Sequence, residues 1–317
     1  MTNARVAGKG VVERVVDLID ETAWFLPTIA EIPPAEFDRG FIGRIRAIEG
    51  LAMKAPEHRS ELMAYAFHRW ADELDRSEIQ RQSRHKPFGY AGDFQVIDWI
   101  YTWRAAPGGR GRLWDEFYHR QAAPRAVRNR KAFFIHLFTG LVREQACGVS
   151  VLNLASGPCR DVYEAVAAAG NGGLASRFLC VDADRRAVEY ARAIAPDGRM
   201  RGVFEWQVAN VFRFRTARRF DLVWSAGLFD YLEDRLAVAL LRRMWRWTAP
   251  GGQMVVGAFH PRNPSKAWME WGGAWFLVHR PEADMAALCE RAGIPADALR
   301  FETEPLGVCL FTVAVRR

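Results

Sequence analysis

Apolar residues recur at three- and four-residue spacing through the first half of the chain and gather into short continuous runs through the second. Val11, Val15, Leu18 and Ile19 lie on one face of a helix predicted over Val11–Leu26, which Pro27 ends. Pro33-Pro34 opens a second helix that passes through Ile42, Ile45 and Leu51. Ser60–Leu74 predicts a third, with Ser60 as its N-cap. Arg76–Lys86 is a polar stretch, Pro107-Gly108-Gly109 a loop, and Pro124–Gln145 a helix that starts basic and ends apolar.

From residue 146 the period changes. Val149–Leu154, Arg177–Val181, Val203–Val208, Phe220–Ser225 and Gln253–Phe259 read as buried strands, and Ala249-Pro250-Gly251-Gly252 as the turn before the last of these. Helices are predicted at Arg160–Ala169, Arg185–Ala193, Arg235–Trp247 and Pro281–Ala292. Such alternation implies parallel strands joined by right-handed crossovers. Two closing runs, Leu299–Thr303 and Val308–Val315, have no helix between them and predict an antiparallel insertion at the sheet edge. The division expected is 1–145, all helical, and 146–317, a doubly wound α/β sheet.

With 317 residues, half of them hydrophobic, the chain can bury a full core. No apolar run approaches the roughly 20 residues of a membrane span, and the first 20 residues show neither a leader's apolar centre nor a small-residue cleavage pattern. The five cysteines, Cys147, Cys159, Cys180, Cys289 and Cys309, form no CxxC pair, and three fall in strands or at strand edges. Reduced thiols in a cytoplasmic protein are the expectation. The dispersed histidines offer no metal site, and there is no GxxxxGK[ST] loop. The net charge of +7 is concentrated between Arg104 and Lys131, with eight basic and two acidic residues. Two readings stay open there: a solvated helix face paired with acids elsewhere, or a docking surface for an anionic substrate, a carrier protein or nucleic acid. The aromatic residues of the segment follow no RNA-binding pattern, so nucleic acid is not expected.

Chemistry concentrates where the strands end. VSVLNLASGPCRD (149–161) is a buried strand, a small-residue turn and a helix start, and CVDAD (180–184) ends a second strand in acid about 25 residues later. In a doubly wound sheet this is the ligand crevice: small residues let backbone amides approach a nucleotide-like ligand, and a carboxylate at the next strand tip holds ribose hydroxyls.

The order of five motifs resembles the class I S-adenosylmethionine (SAM)-dependent methyltransferases over the last 170 or so residues. These are LNLASGP (152–158), Asp182 as the ribose acid, VANVFRF (208–214), FDLVWSAGLFDYL (220–232) and APGGQMVVG (249–257). The chain departs from that pattern in having Asn153 for the usual acid, Ala155 and Cys159 for two glycines, and Asn210 for a common aspartate. A narrower likeness is carried by KPFGYAGDFQVIDWIY, AVRNRKAF, SAGLFDYLEDR, GAFHPRNPSKAWMEW and WFLVHR. These are similar to a bacterial group described as 3-hydroxypalmitate methyl ester synthase-like, and they cover most of residues 84–280. The resemblance implies a Rossmann-like seven-stranded SAM-binding sheet with an all-helical N-terminal cap. It implies methyl transfer to the oxygen or nitrogen of a small molecule, in secondary metabolism or signalling. Two other outcomes stay open: cyclisation of SAM to azetidine-2-carboxylate and methylthioadenosine, and SAM binding without turnover.

Cofactor contacts are expected from Asn153, Ala155, Ser156, Gly157, Asp182, Ala183, Asn210, Val211 and Ser225. For Asp182 a helix cap is the alternative, and for Asn210 a turn. Catalytic candidates are Tyr90, Asp230, Tyr231 and His260. Tyr90 stands between Gly89 and Gly92 in a bend read as part of a lid over SAM, with Asp93 as a helix cap in the alternative. Asp230 can be a base, a partner for a substrate ammonium, or a cap for the helix after 233. His260 can be a general base or can hold the loop 261–264. Arg128 and Asn129 can reach a carboxylate, with a surface charge the alternative for Arg128, and Trp268, Trp271 and Trp275 can wall the pocket or belong to the core.

Overall fold

The structure, a computed structural model, describes residues 10–145, 148–195, 198–200 and 202–317, so Cys147 and the first nine residues lie outside the described residues. The chain forms two compact units. One comprises residues 1–124 with 264–276, the other 125–263 with 277–317.

The second unit holds seven strands: β1 Ser150–Leu154, β2 Arg177–Asp182, β3 Phe204–Val208, β4 Phe220–Ser225, β5 Thr248–Phe259, β6 Leu299–Thr303 and β7 Cys309–Val315. They form one sheet in the order β3-β2-β1-β4-β5-β7-β6. β1 to β5 pair in parallel, and β7 inserts antiparallel between β5 and β6. This is the predicted α/β sheet with its antiparallel insertion. The strands SVLNL and FDLVWS are buried along nearly their whole length, as in a parallel sheet covered on both faces. Leu152, Leu154, Val223, Met254 and Val256 share a fully buried core with Leu240, Leu241 and Met244 of the helix Asp234–Trp247. The strand order reverses between β1 and β4, so a crevice opens at their carboxyl ends.

Some elements differ from expectation for local reasons. β5 begins at Thr248, five residues early, because the Pro250-Gly251-Gly252 turn is drawn into the ladder: Gly251 N donates to Arg316 O and Arg316 N to Gly252 O. Gly170–Ala175 is helical in spite of three glycines.

In the helical unit, Val11–Phe25 ends as predicted, and the chain continues through Pro27 as a 3-10 turn, Leu26–Ala30. The helix expected over Ser60–Leu74 starts at Arg59 and breaks at Trp70, so Ser60 lies within it instead of capping it. Glu78–His85, within the stretch read as polar, is a helix capped by Ser77, whose hydroxyl accepts from Gln80 N. Gly109–Arg120 starts inside the expected loop. The unit's core is aromatic: Phe37, Phe41, Trp70, Trp114 and Phe117 are all buried, and Phe41 meets Trp70 edge-on at 6.1 Å. Residues 264–276 join this core. Trp271 Nε1 donates to Glu49 at 2.6 Å, Arg59 bridges Glu49 and Glu270, and Trp268 lies edge-on to Phe117. Of the two readings of Trp268 and Trp271, these contacts match packing in this core.

Candidate functional site

The turn after β1 is built for backbone approach. Ala155 has φ 50° and Gly157 φ 55°, left-handed values that glycine adopts freely and that an alanine adopts only against the clash of its Cβ. A Cβ placed on Gly157 would meet no atom within 4 Å, so the turn faces open space. Ser156 N is held by Val181 O, and Gly157 N by Asp182 Oδ2 at 2.9 Å. The other oxygen of Asp182 accepts from Asp184 N at 2.9 Å. The carboxylate keeps a lone pair beyond these bonds. Burial raises the Asp182 pKa above its ordinary value, with backbone donors opposing. The cap of helix Arg185–Ile194 is Asp184, not Asp182, since Asp184 accepts from Arg186 N.

Two hydroxyls here are buried and carry no hydrogen bond: Ser156 Oγ in the turn and Ser225 Oγ at the end of β4. An unsatisfied buried hydroxyl costs about 1–3 kcal/mol. A polar ligand seated over the turn would relieve that cost. Asn153, where the family has an acid, is buried on β1 with its amide against Cys159 Sγ at 3.9 Å. Ala183 follows Asp182 at the end of β2. At the end of β3, Asn210 Oδ1 accepts from Phe212 N, the turn alternative, while Val211 is buried beside it.

The exit of β4 is pinned by charge. Asp230 is buried, its Oδ1 accepting from Phe259 N at 2.6 Å. The helix Asp234–Trp247 begins after Glu233, so Asp230 is not its N-cap. Burial pushes the Asp230 pKa up to about 7, against the pull of Arg130 and Arg280. Arg280, itself buried, donates to Phe229 O and Leu232 O, and Arg130 donates to Ala226 O at 2.7 Å. Tyr231 is half-exposed on the same short turn.

His260 has both ring nitrogens engaged: Nδ1 accepts from Arg262 N, and Nε2 faces Glu282 Oε2 at 3.1 Å. That is the geometry of the loop-holding alternative. His260→Ala is expected to cost about 1–2 kcal/mol of stability, the worth of two hydrogen bonds. Denaturant melts check this, and an unchanged midpoint would refute it. Asn129 reaches a carboxylate, that of Glu304, at 2.7 Å. In the helical unit Tyr90 is half-buried after Gly89, whose φ is 97°. Asp93 caps Phe94–Thr102, accepting from Gln95 N and Val96 N.

Sequence reasoning missed Arg130 and Arg280. A signal for Arg130 existed: it falls on the buried stripe of its helix, with Ala126, Val127, Phe134 and Phe138. An arginine on an apolar stripe needs internal partners.

In the basic segment, ion pairs link Arg104 to Glu78, Arg110 to Glu73, Arg112 to Glu116, Arg120 to Asp38 and Lys131 to Glu164. Among the described residues no group of three or more histidine, cysteine or acidic residues could hold a metal ion, and no helix is long and apolar enough to cross a membrane.

Comparison with known proteins agrees with this geometry. The family described as "Methyltransferase domain" matches residues 151–252, which span β1 to the start of β5. Nodulation protein S of Sinorhizobium fredii (strain NBRC 101917 / NGR234) is 29% identical over 133 residues, 40% of this chain and 60% of that protein. The crystal structure of a possible exported protein from Bordetella parapertussis superposes with a TM-score of 0.60 at 19% identity, over 99% of each chain. Magnesium protoporphyrin IX methyltransferase from Synechocystis PCC 6803, crystallised with S-adenosylhomocysteine, gives 0.52 at 14% identity, over 75% of this chain and all of that one. At these identities the two structures share a fold with this chain. The strand order and the turn after β1 agree with that match: residues 151–252 form a methyltransferase domain.

Proposed function

We propose that this protein transfers the methyl group of SAM to an oxygen or nitrogen of a small molecule. The observation that carries the reading is the set of groups at the carboxyl edge of the sheet. It comprises an acid with a free lone pair at the tip of β2, a turn open to a ligand after β1, and two buried hydroxyls without partners. Bound there, SAM supplies an electrophilic methyl carbon on a sulfonium. Asp182 would accept from the ribose hydroxyls, and the unpartnered hydroxyls of Ser156 and Ser225 would meet the methionyl end. Asn210, whose Oδ1 is used by its own turn, would offer its amide nitrogen to the adenine edge, with Val211 against the ring.

The chain's contribution to the reaction is alignment and exclusion of water. Asp230 is committed to Phe259 N, so its role in this reading is to hold the loop that carries Tyr231. The narrower likeness to 3-hydroxypalmitate methyl ester synthase-like proteins supports a small-molecule acceptor. The ion pairs of residues 104–131 leave a carrier protein without specific support. Four free, buried thiols suit a reducing compartment such as the cytoplasm.

The identity of the leaving group tests the proposal. Purified protein incubated with SAM alone should produce almost no S-adenosylhomocysteine above background by mass spectrometry. Adding small-molecule acceptors bearing hydroxyl, carboxyl or amine groups should raise it with at least one of them. Acceptor-free formation of methylthioadenosine with azetidine-2-carboxylate would overturn methyl transfer in favour of cyclisation. SAM binding with no product under any condition would leave a binding protein.

A further inference from the structure

The segment Asn129-Arg130-Lys131 belongs to the helix Ala122–Glu144, and its three side chains hold three different parts of the sheet unit. Asn129 Nδ2 donates to Glu304 Oε2 at 2.7 Å, at the turn between β6 and β7. Arg130 Nη1 donates to Ala226 O at 2.7 Å, one residue beyond Ser225. Lys131 Nζ bonds Glu164 at 2.8 Å, on the helix that follows the turn after β1. Successive helical residues point about 100° apart, so three neighbours reach in three directions and fix the helix against rotation.

Arg130 is the buried member, 5% exposed, and the charged groups around it match it. Its charge acts on the carboxyls of Asp161 and Asp230. Asp161 lies in the first turn of the helix after the Ala155–Gly157 turn, and Asp230 in the exit of β4. The Arg130 guanidinium fits closely against that exit: a Cβ on Gly227 would come within 3.3 Å of Nη1. The fork thus bonds the exit of β4, while the neighbouring Lys131 bonds the helix that follows the turn after β1. A lysine would supply the charge as a point and lose the fork.

We propose that Arg130 is a positioning residue for SAM, holding the exit of β4 in register with the turn after β1 so that the ends of the two strands receive the methionyl group together. This rests on the SAM reading above.

The test is calorimetric binding of S-adenosylhomocysteine to the full chain, alongside thermal melts, for wild type, Arg130→Lys and Arg130→Met. Arg130→Lys is expected to melt within a few degrees of wild type, because the charge facing Asp161 and Asp230 is kept. It is expected to bind at least tenfold more weakly, because the carbonyl of Ala226 is released, and Arg130→Met more weakly still. A residue that served folding alone would shift the melt and leave the affinity of the folded protein unchanged. Affinity within twofold of wild type in Arg130→Lys overturns the inference. So does failure of both variants to fold, since positioning a loop is separable from folding. Wild-type protein that binds no S-adenosylhomocysteine overturns the SAM reading itself, whereas binding by wild type with unchanged binding by Arg130→Lys overturns only the role of Arg130.

Discussion

Asp182→Ala is expected to bind S-adenosylhomocysteine roughly ten- to a hundredfold more weakly than wild type. A hydrogen bond to a charged acceptor contributes about 1.5–3 kcal/mol, and the buried position at the tip of β2 keeps water from replacing it. A second effect acts in the same direction. Asp182 holds Gly157 N and Asp184 N, one with each oxygen, so its removal also frees the turn that approaches the ligand. Asp182→Asn separates the two. The amide keeps one acceptor oxygen for the backbone but presents an NH2 group to the other contact and carries no charge. If ribose binding dominates, the Asn and Ala variants should lose similar affinity in calorimetry. If the turn dominates, Asn should recover most of it. Unchanged affinity in a folded Asp182→Ala protein would remove this residue from the site.

Asp182 also shows how far the sequence reaches. CVDAD contains two acids at a strand end, and either can be read as ribose ligand or helix cap. Only the backbone trace separates them: the second acid, Asp184, takes the cap and leaves the first facing the turn. The parallel strands were legible because burial on both faces forces continuous apolar runs, and β1, β2 and β4 lie within a residue of their predicted bounds. The helix Glu78–His85 was illegible for the opposite reason. Its residues are almost all polar, yet Gln80, Ser83 and Arg84 are buried, because Arg84 bonds Asp75, Phe67 O and Gly272 O. Hydrophobic periodicity cannot report a helix whose inward face is largely polar. Asp230 is not the helix cap that its position suggests. A sequence shows an acid before a helix and suggests a cap, but the partner that claims it, Phe259 N, lies 29 residues away on β5.

Replacing Asp230 with asparagine should remove a pH effect on stability. The carboxyl's pKa is pushed by burial from 3.8 to about 7 in the folded protein, with Arg130, Arg280 and Phe259 N opposing the rise. Between about pH 4 and pH 7 the folded state therefore binds more protons at this site than the unfolded state. Linkage then makes this group's contribution to stability fall as pH rises through that window, the reverse of a salt-bridged surface carboxylate. Asparagine keeps an oxygen for Phe259 N and removes the titration. Asp161, which burial also raises, to about 6, titrates in both proteins and cancels in the comparison. From pH 5.5 to pH 8 the wild type should lose about 2 kcal/mol relative to Asp230→Asn, the integral of one group titrating between these two pKa values. Urea melts of both proteins at the two pH values measure it. A difference that stays flat to within about 0.5 kcal/mol would mean that Asp230 remains ionised across the range, and its partnership with the two buried arginines would then outweigh the cost of burying its charge.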